Sequence, residues 1–157
     1  MWLLEKINDN GFEILVAMVI SNTVAQILKT IHYSFKKRKF QASMLISTGG
    51  MPSSHSSTVC AMAVSVGLVA GWSSVGFAIA FCLASVVMYD AAGVRRAASR
   101  QAWVLNLIIR DIISDEHKLK KQRLQELIGH TPTQVLAGAA LGIAISVGLR
   151  LLLNHYV

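Results

Sequence analysis

The sequence predicts an all-α, polytopic integral membrane helical bundle, with about four transmembrane helices plus interfacial amphipathic helices, and three observations predict it. Hydrophobic residues make up 54% of the chain and charged residues only 15%, a balance that suits a small membrane protein better than a soluble domain. The apolar residues gather into runs at 12–31, 56–71, 75–94 and 133–153, each read as a span; the second is short and completes a hairpin with the third. The charges lie between these runs. Two prolines and 11 glycines leave little material for disordered linkers, so residues 1–157 read as a single membrane-embedded domain. Cys60 and Cys82 both fall inside apolar runs and read as small buried side chains, neither a disulfide framework nor a metal site.

The opening residues Met1 to Lys6 lack a signal peptide's basic region and small-residue cleavage site, so the first run is expected to be retained. That run carries Asn22, Gln26 and Lys29 at helical spacing on one face. Polar groups at membrane depth point into a bundle or a wet cavity, as interhelical hydrogen bonds or as parts of a site, and a lysine near a helix end can also snorkel to the headgroups. A loop with Lys36, Lys37, Arg38 and Lys39 leads into Gly49-Gly50-Met51-Pro52-Ser53-Ser54-His55-Ser56-Ser57. Here the glycines permit a tight loop, Pro52 suits a first helical turn, and Ser53 or Ser54 can cap the helix. The free N–H groups and the helix dipole make a ready phosphate site, and His55 beside it is placed to hand a proton to a leaving oxygen. The same residues also read as a plain helix cap with an interfacial histidine.

Beyond a Trp72-Ser73-Ser74 turn, the third run ends in Met88-Tyr89-Asp90-Ala91-Ala92-Gly93-Val94-Arg95-Arg96. Asp90 with two arginines about a turn and a half later is costly in lipid unless paired or used. It reads either as a structural ion pair at the interface or as an arginine clamp on phosphate oxygens. Gly67 and Gly71, like Gly138 and Gly142, stand four apart, a spacing that lets helix backbones pack closely.

Residues 99–129 form an amphipathic excursion. Its apolar stretch 102–109, with Trp103, is too short to cross and lies along the interface or folds over the bundle. Ser114 caps a following helix with Asp115 and Glu116 in its first turn and Gly129 at its end; Lys118, Lys120, Lys121 and Arg123 give it a basic side that rests on anionic phospholipids. Because such charges flank membrane segments, the pI of about 9.8 does not imply nucleic acid. In Gly129-His130-Thr131-Pro132-Thr133-Gln134, Thr131 to Gln134 fits a capping box with Pro132 at the first helical position. His130 stands just outside that helix, in the same local setting as His55. No carboxylate or thiolate cluster has ligand spacing, so neither a metal nor a cofactor is expected. All but Lys6 and Arg150 of the 15 basic residues gather at one face, which the positive-inside rule makes cytoplasmic, with both termini outside. Lys29, His55, Asp90, Arg95, Arg96 and His130 converge on that face.

At these residues the chain resembles the type 2 phosphatidic acid phosphatases, relatives of the vanadium haloperoxidases, and in particular their small divergent bacterial branch. The superfamily's Pro-Ser-Gly-His signature looks like Pro52-Ser53-Ser54-His55, with serine replacing glycine. The resemblance implies that His55 protonates the leaving alcohol while Ser53, Ser54 and nearby N–H groups hold phosphate. The third signature, Ser-Arg, five residues, His, three residues, Asp, fails when read from Ser99-Arg100, because Asn106 and Arg110 occupy the last two places. A split reading fits: Arg95 or Arg96 supplies the arginine, the basic excursion is an insertion, and His130 with Gln134 closes the motif. By resemblance His130 attacks phosphorus, with Gln134 where a carboxylate is expected and Asp90 as a possible substitute. The first signature, Lys, six residues, Arg-Pro, is partly present, since Lys29 is followed at that spacing by Lys36 and no proline.

The expected protein is a lipid phosphate phosphatase of the bacterial cytoplasmic membrane with its active site on the cytoplasmic side. It would hydrolyse a phosphatidylglycerophosphate- or phosphatidate-like monoester through a phosphohistidine, and a homodimer would be one way to bury its bundle. Lys29, Arg95 and Arg96 would neutralise phosphoryl oxygens. The alternatives are an isoprenyl diphosphate phosphatase, a catalytically degenerate protein that binds anionic lipid or a partner, and a small transporter or channel, though no inverted repeat is present.

Overall fold

A computed structural model describes residues 7–38, 50–113 and 130–156, and the described chain runs through helices α1 (Gly11–Lys37), α2 (Ser54–Ala70), α3 (Val75–Ala92), α4 (Val94–Ile113) and α5 (Pro132–Tyr156). The starts have local causes. Asn10 caps α1 by accepting the Phe12 N–H, Ser53 caps α2 through the Ser56 N–H, and Ser74 caps α3 through the Phe77 N–H. Because the Ser53 hydroxyl reaches the Ser56 N–H at 3.3 Å and takes the capping position, Pro52 precedes the cap instead of entering the first turn as its sequence context predicted. The first helix also outruns its expected end. Neither glycine nor proline interrupts it, and it stops only where Arg38 turns left-handed at φ 50°, so Lys36 and Lys37 lie on helix rather than in a loop. Lys39 and Gly49 lie outside the described residues.

Three stretches are long and apolar enough to cross a membrane: Gly11–Phe35, Val75–Ile108 and Pro132–Tyr156. The shorter α2 is the central helix, packed against α5, α1 and α3. The distribution of side chains is that of a bundle in lipid. Ala17, Ala25, Ala61, Ala63, Ala80 and Ala84 are buried with Ser21, Ser57, Ser65 and Ser146, while Phe12, Val19, Ile79, Phe81, Leu136 and Leu151 are exposed. Lipid tails are as apolar as leucine, so helices gain from close backbone approach and interhelical hydrogen bonds, the latter averaging about 0.6 kcal/mol each.

That approach is closest between α2 and α5. A Cβ on Gly138 would meet the Ser53 carbonyl, and one on Gly142 the Ser57 carbonyl, while one step further Ser146 donates to the Ala61 carbonyl at 2.9 Å. The other glycine pair behaves differently: Gly67 lies under the Trp72 ring, which stacks edge-on against Phe77, and Gly71 caps α2 at φ 91° with open space around it. A capping glycine with nothing beside it cannot be a packing surface, so this pair is a turn rather than a helix contact.

On α1, every fourth residue is buried: Glu13, Ala17, Ser21, Ala25 and Lys29. A spacing of four drifts around a helix of 3.6 residues per turn, so one end of this stripe meets α5 and the other meets α2 and its preceding loop. Ser21 and Ser57 exchange hydrogen bonds between α1 and α2, and at the far end Arg150 of α5 binds Glu13 at 2.8 Å and Asp9 at 3.1 Å. Asn22, expected to turn inward with Gln26 and Lys29, is exposed, because it lies beside the stripe and not on it.

Gly93 breaks the chain between α3 and α4 at φ −103°, ψ −80°, and no further breaker occurs before Ile113. The apolar segment 102–109 is therefore part of one helix rather than a separate interfacial piece. Val94, Val104, Leu105 and Ile108 are exposed on it, whereas Ser99 and Asn106 are half-buried, so the apolar edge faces outward. The helix expected from Ser114, with Asp115, Glu116, Lys118, Lys120, Lys121, Arg123 and its stop at Gly129, lies outside the described residues.

Candidate active site

The polar groups at one end of the bundle are assembled by its caps. At Gly50, φ is 108° and a Cβ would lie 2.9 Å from Lys29 Cγ, so only glycine lets the loop cross the lysine stem. Lys29 is 1% exposed, and its Nζ donates to Gln26 Oε1 at 2.8 Å. Gln26 Nε2 in turn donates to Ser54 Oγ at 3.4 Å, long for a hydrogen bond. The lysine anticipated as a phosphate ligand is thus tied to the first residue of α2 through the Gln26 amide.

Ser53 is fully buried and is committed to structure on both sides. Its N–H donates to the Gln134 carbonyl at 3.0 Å, joining the start of α2 to the start of α5, and its hydroxyl accepts from the Ser56 N–H and, at 3.0 Å, from the Ser56 hydroxyl. Ser54 is buried as well, and His55, the next residue, is exposed.

His130 is held three ways. Its N–H donates to the Ala91 carbonyl at 3.2 Å, which ties it to the last turn of α3. Its ring packs against His55, with centroids 6.4 Å apart and planes at 59°, and the residue is 3% exposed. Its Nδ1 lies 3.2 Å from Gln134 Oε1, and the same oxygen accepts the Thr131 N–H at 3.0 Å, while Thr131 Oγ1 accepts the Gln134 N–H at 3.4 Å. The capping box is therefore formed as the spacing predicted. It also fixes chemistry. Only the amide oxygen can accept the Thr131 N–H, so the atom facing Nδ1 is an acceptor and Nδ1 carries a proton, which in the neutral ring leaves the lone pair on Nε2.

Asp90 is half-buried in the last turn of α3, one residue before the carbonyl that holds His130. Arg95 and Arg96 lie in the first turn of α4, just past the Gly93 break; their side chains are outside the described positions. The described geometry thus joins Ser53 to Gln134, Gln134 to His130 and His130 to His55 directly, links Lys29 to Ser54 through Gln26, and brings the Asp90 turn alongside. One participant had no signal in the sequence, the Ala91 carbonyl, because any residue type supplies one; Ser56 stands in the hydroxyl-rich stretch but gains its place only from its contact with Ser53. Gln26 did carry a signal, its spacing of three from Lys29. A cavity of about 310 Å³ lined by Thr30, Ile31, Ser34 and Phe35 opens on α1, but its lining residues are turned away from the Lys29 side of that helix.

Residues 11–145 match the family described as the Divergent PAP2 family. The chain is 38% identical to the uncharacterized membrane protein YuiD of Bacillus subtilis (strain 168), an alignment that covers 80% of this chain and 85% of that one. No solved structure matches the chain.

Proposed function

The chain belongs to the divergent PAP2 family, and on that premise we propose that it is a membrane phosphatase that hydrolyses a lipid phosphate monoester through a phosphohistidine on His130. The observation that carries the reading is the histidine pair: two rings from two helix starts, 6.4 Å between centroids, with one buried and oriented and the other exposed. A phosphoryl group between them would have a nucleophile on one side and an acid on the other. In the first step His130 Nε2 bonds to phosphorus as the bond from phosphorus to the alcohol oxygen breaks, and His55, entering as imidazolium, gives that oxygen its proton. Water then attacks phosphorus and gives its proton to His55. The phosphorus–nitrogen bond breaks, inorganic phosphate leaves, and both rings return to their starting forms. Lys29, the N-terminal N–H groups of α2, and Arg95 or Arg96 would carry the charge on the phosphoryl oxygens.

The substrate we propose is phosphatidate- or phosphatidylglycerophosphate-like, met in the cytoplasmic leaflet, because the basic residues gather at the end of the bundle that holds the histidines. One observation favours a second reading. Gln134 offers His130 an oxygen but no charge, as a degenerate protein that binds lipid phosphate without turnover would tolerate. Phosphate release from a panel of lipid phosphates in detergent decides between them: the native protein should turn over and His130→Ala should not. Equal rates in the two would remove His130 from the mechanism, and no release from any substrate would leave the binding reading.

A further inference from the structure

We propose that Gln26 is a positioning residue that presents Lys29 and Ser54 as hydrogen-bond donors to the substrate's phosphoryl group, a proposal that rests on the assignment of the phosphate site above. Donor and acceptor chemistry fixes the direction of every link. The Lys29 ammonium only donates, so the Gln26 atom 2.8 Å from it is the oxygen, and the atom turned to Ser54 is the amide nitrogen. The amide nitrogen only donates, so Ser54 Oγ accepts from it. The Ser54 hydroxyl proton must then point elsewhere, and Ser54 stands at the start of α2, where backbone N–H groups already favour an anion. Lys29, Gln26 and Ser54 thus form one chain with a single polarity that ends on the donating Ser54 hydroxyl. An acceptor such as a phosphoryl oxygen satisfies that end, whereas a cation does not.

The surroundings make the chain rigid. Lys29 is 1% and Ser54 3% exposed, and Gly50 crosses the lysine stem too closely for any side chain of its own. Thr30 donates to the Gln26 carbonyl at 2.9 Å on the same turn. A buried ammonium that had to be reoriented for each substrate would bind phosphate weakly; the Gln26 amide orients this one beforehand, at 2.8 Å.

A purely structural Gln26 and a positioning one respond oppositely to Gln26→Glu. The carboxylate is the same size and pairs with Lys29, so a structural role survives it, but it cannot donate to Ser54 and it sets a negative charge beside the phosphate. Thermal-shift titration of the detergent-purified full chain with inorganic phosphate measures both effects. Gln26→Glu should match or exceed the native Tm without phosphate yet weaken phosphate binding roughly tenfold or more. Gln26→Leu should weaken binding in the native background and weaken it less in Lys29→Met, since part of its effect runs through that lysine and the rest through Ser54. Native-like phosphate affinity in Gln26→Glu overturns the proposal, as does an undiminished loss from Gln26→Leu when Lys29 is already methionine. Should Gln26→Leu fail to fold, the Gln26→Glu comparison still decides. Native protein that binds phosphate but releases none from lipid phosphates would refute hydrolysis and leave the role of Gln26 standing; native protein that binds no phosphate would refute both.

Discussion

Gln134 meets His130 through an oxygen that also closes the helix cap, so in the proposed mechanism one amide would serve fold and chemistry together. It orients the ring as a carboxylate would, but it cannot stabilise an imidazolium by charge. Hydrogen bonds to charged partners exceed neutral ones by about 1 kcal/mol, so Gln134→Glu should raise kcat roughly five- to tenfold while Tm stays near native. An unchanged or lower kcat would confine Gln134 to the cap. That the two histidines would meet was legible in the sequence, because each stands beside a helix-capping signal at the same face. Gln26 was only half legible: its spacing of three from Lys29 put it on the lysine's face, but an amide in an apolar helix reads equally well as an interhelical hydrogen bond. Its meaning comes from Ser54, far along the chain, and no spacing rule connects them.

Among the helices, the pairing of α2 with α5 sets the site, because the Gly138–Gly142–Ser146 stripe brings the two N-termini together and with them Ser53 and Gln134. Gly142→Ala would push a methyl into the Ser57 carbonyl and the Ala61 N–H region, both backbone and unable to swing aside, and should destabilise by about 1–3 kcal/mol. Gly148→Ala, with nothing within 4 Å, should be neutral or gain up to about 1 kcal/mol in helix propensity. Thermal unfolding of both variants in one detergent makes the comparison, and equal Tm values would deny the close contact. The four apolar runs and the α5 cap were legible from composition and capping residues. The continuation of α4 was not: its apolar residues 102–109 are too few to span, and only the absence of a breaker between Gly93 and Ile113 shows that they belong to a longer helix.

Across the whole molecule, charge is buried at both ends of one narrow bundle. At the end away from the histidines, Glu13 is 1% exposed and depends on Arg150, so Arg150→Ala would leave a buried carboxylate without its cation and should cost about 3–5 kcal/mol in detergent unfolding. A double change, Glu13→Gln with Arg150→Met, should cost much less. At the histidine end, orientation can be read at Met51, which is 41% exposed, whereas Ser54 is buried and unsuited to labelling. In a background lacking Cys60 and Cys82, Met51→Cys should react with a membrane-impermeant thiol reagent only after cells are opened. Reaction in intact cells would move the site, and the substrate, to the outer leaflet. The claim on which the account turns is the bond between His130 and phosphorus, and it is tested most directly by trapping that bond. Native protein mixed with phosphatidate carrying a radiolabelled phosphate and quenched in alkali should retain acid-labile label on His130, and His130→Ala should retain none; turnover without label, or label that persists in His130→Ala, would contradict it.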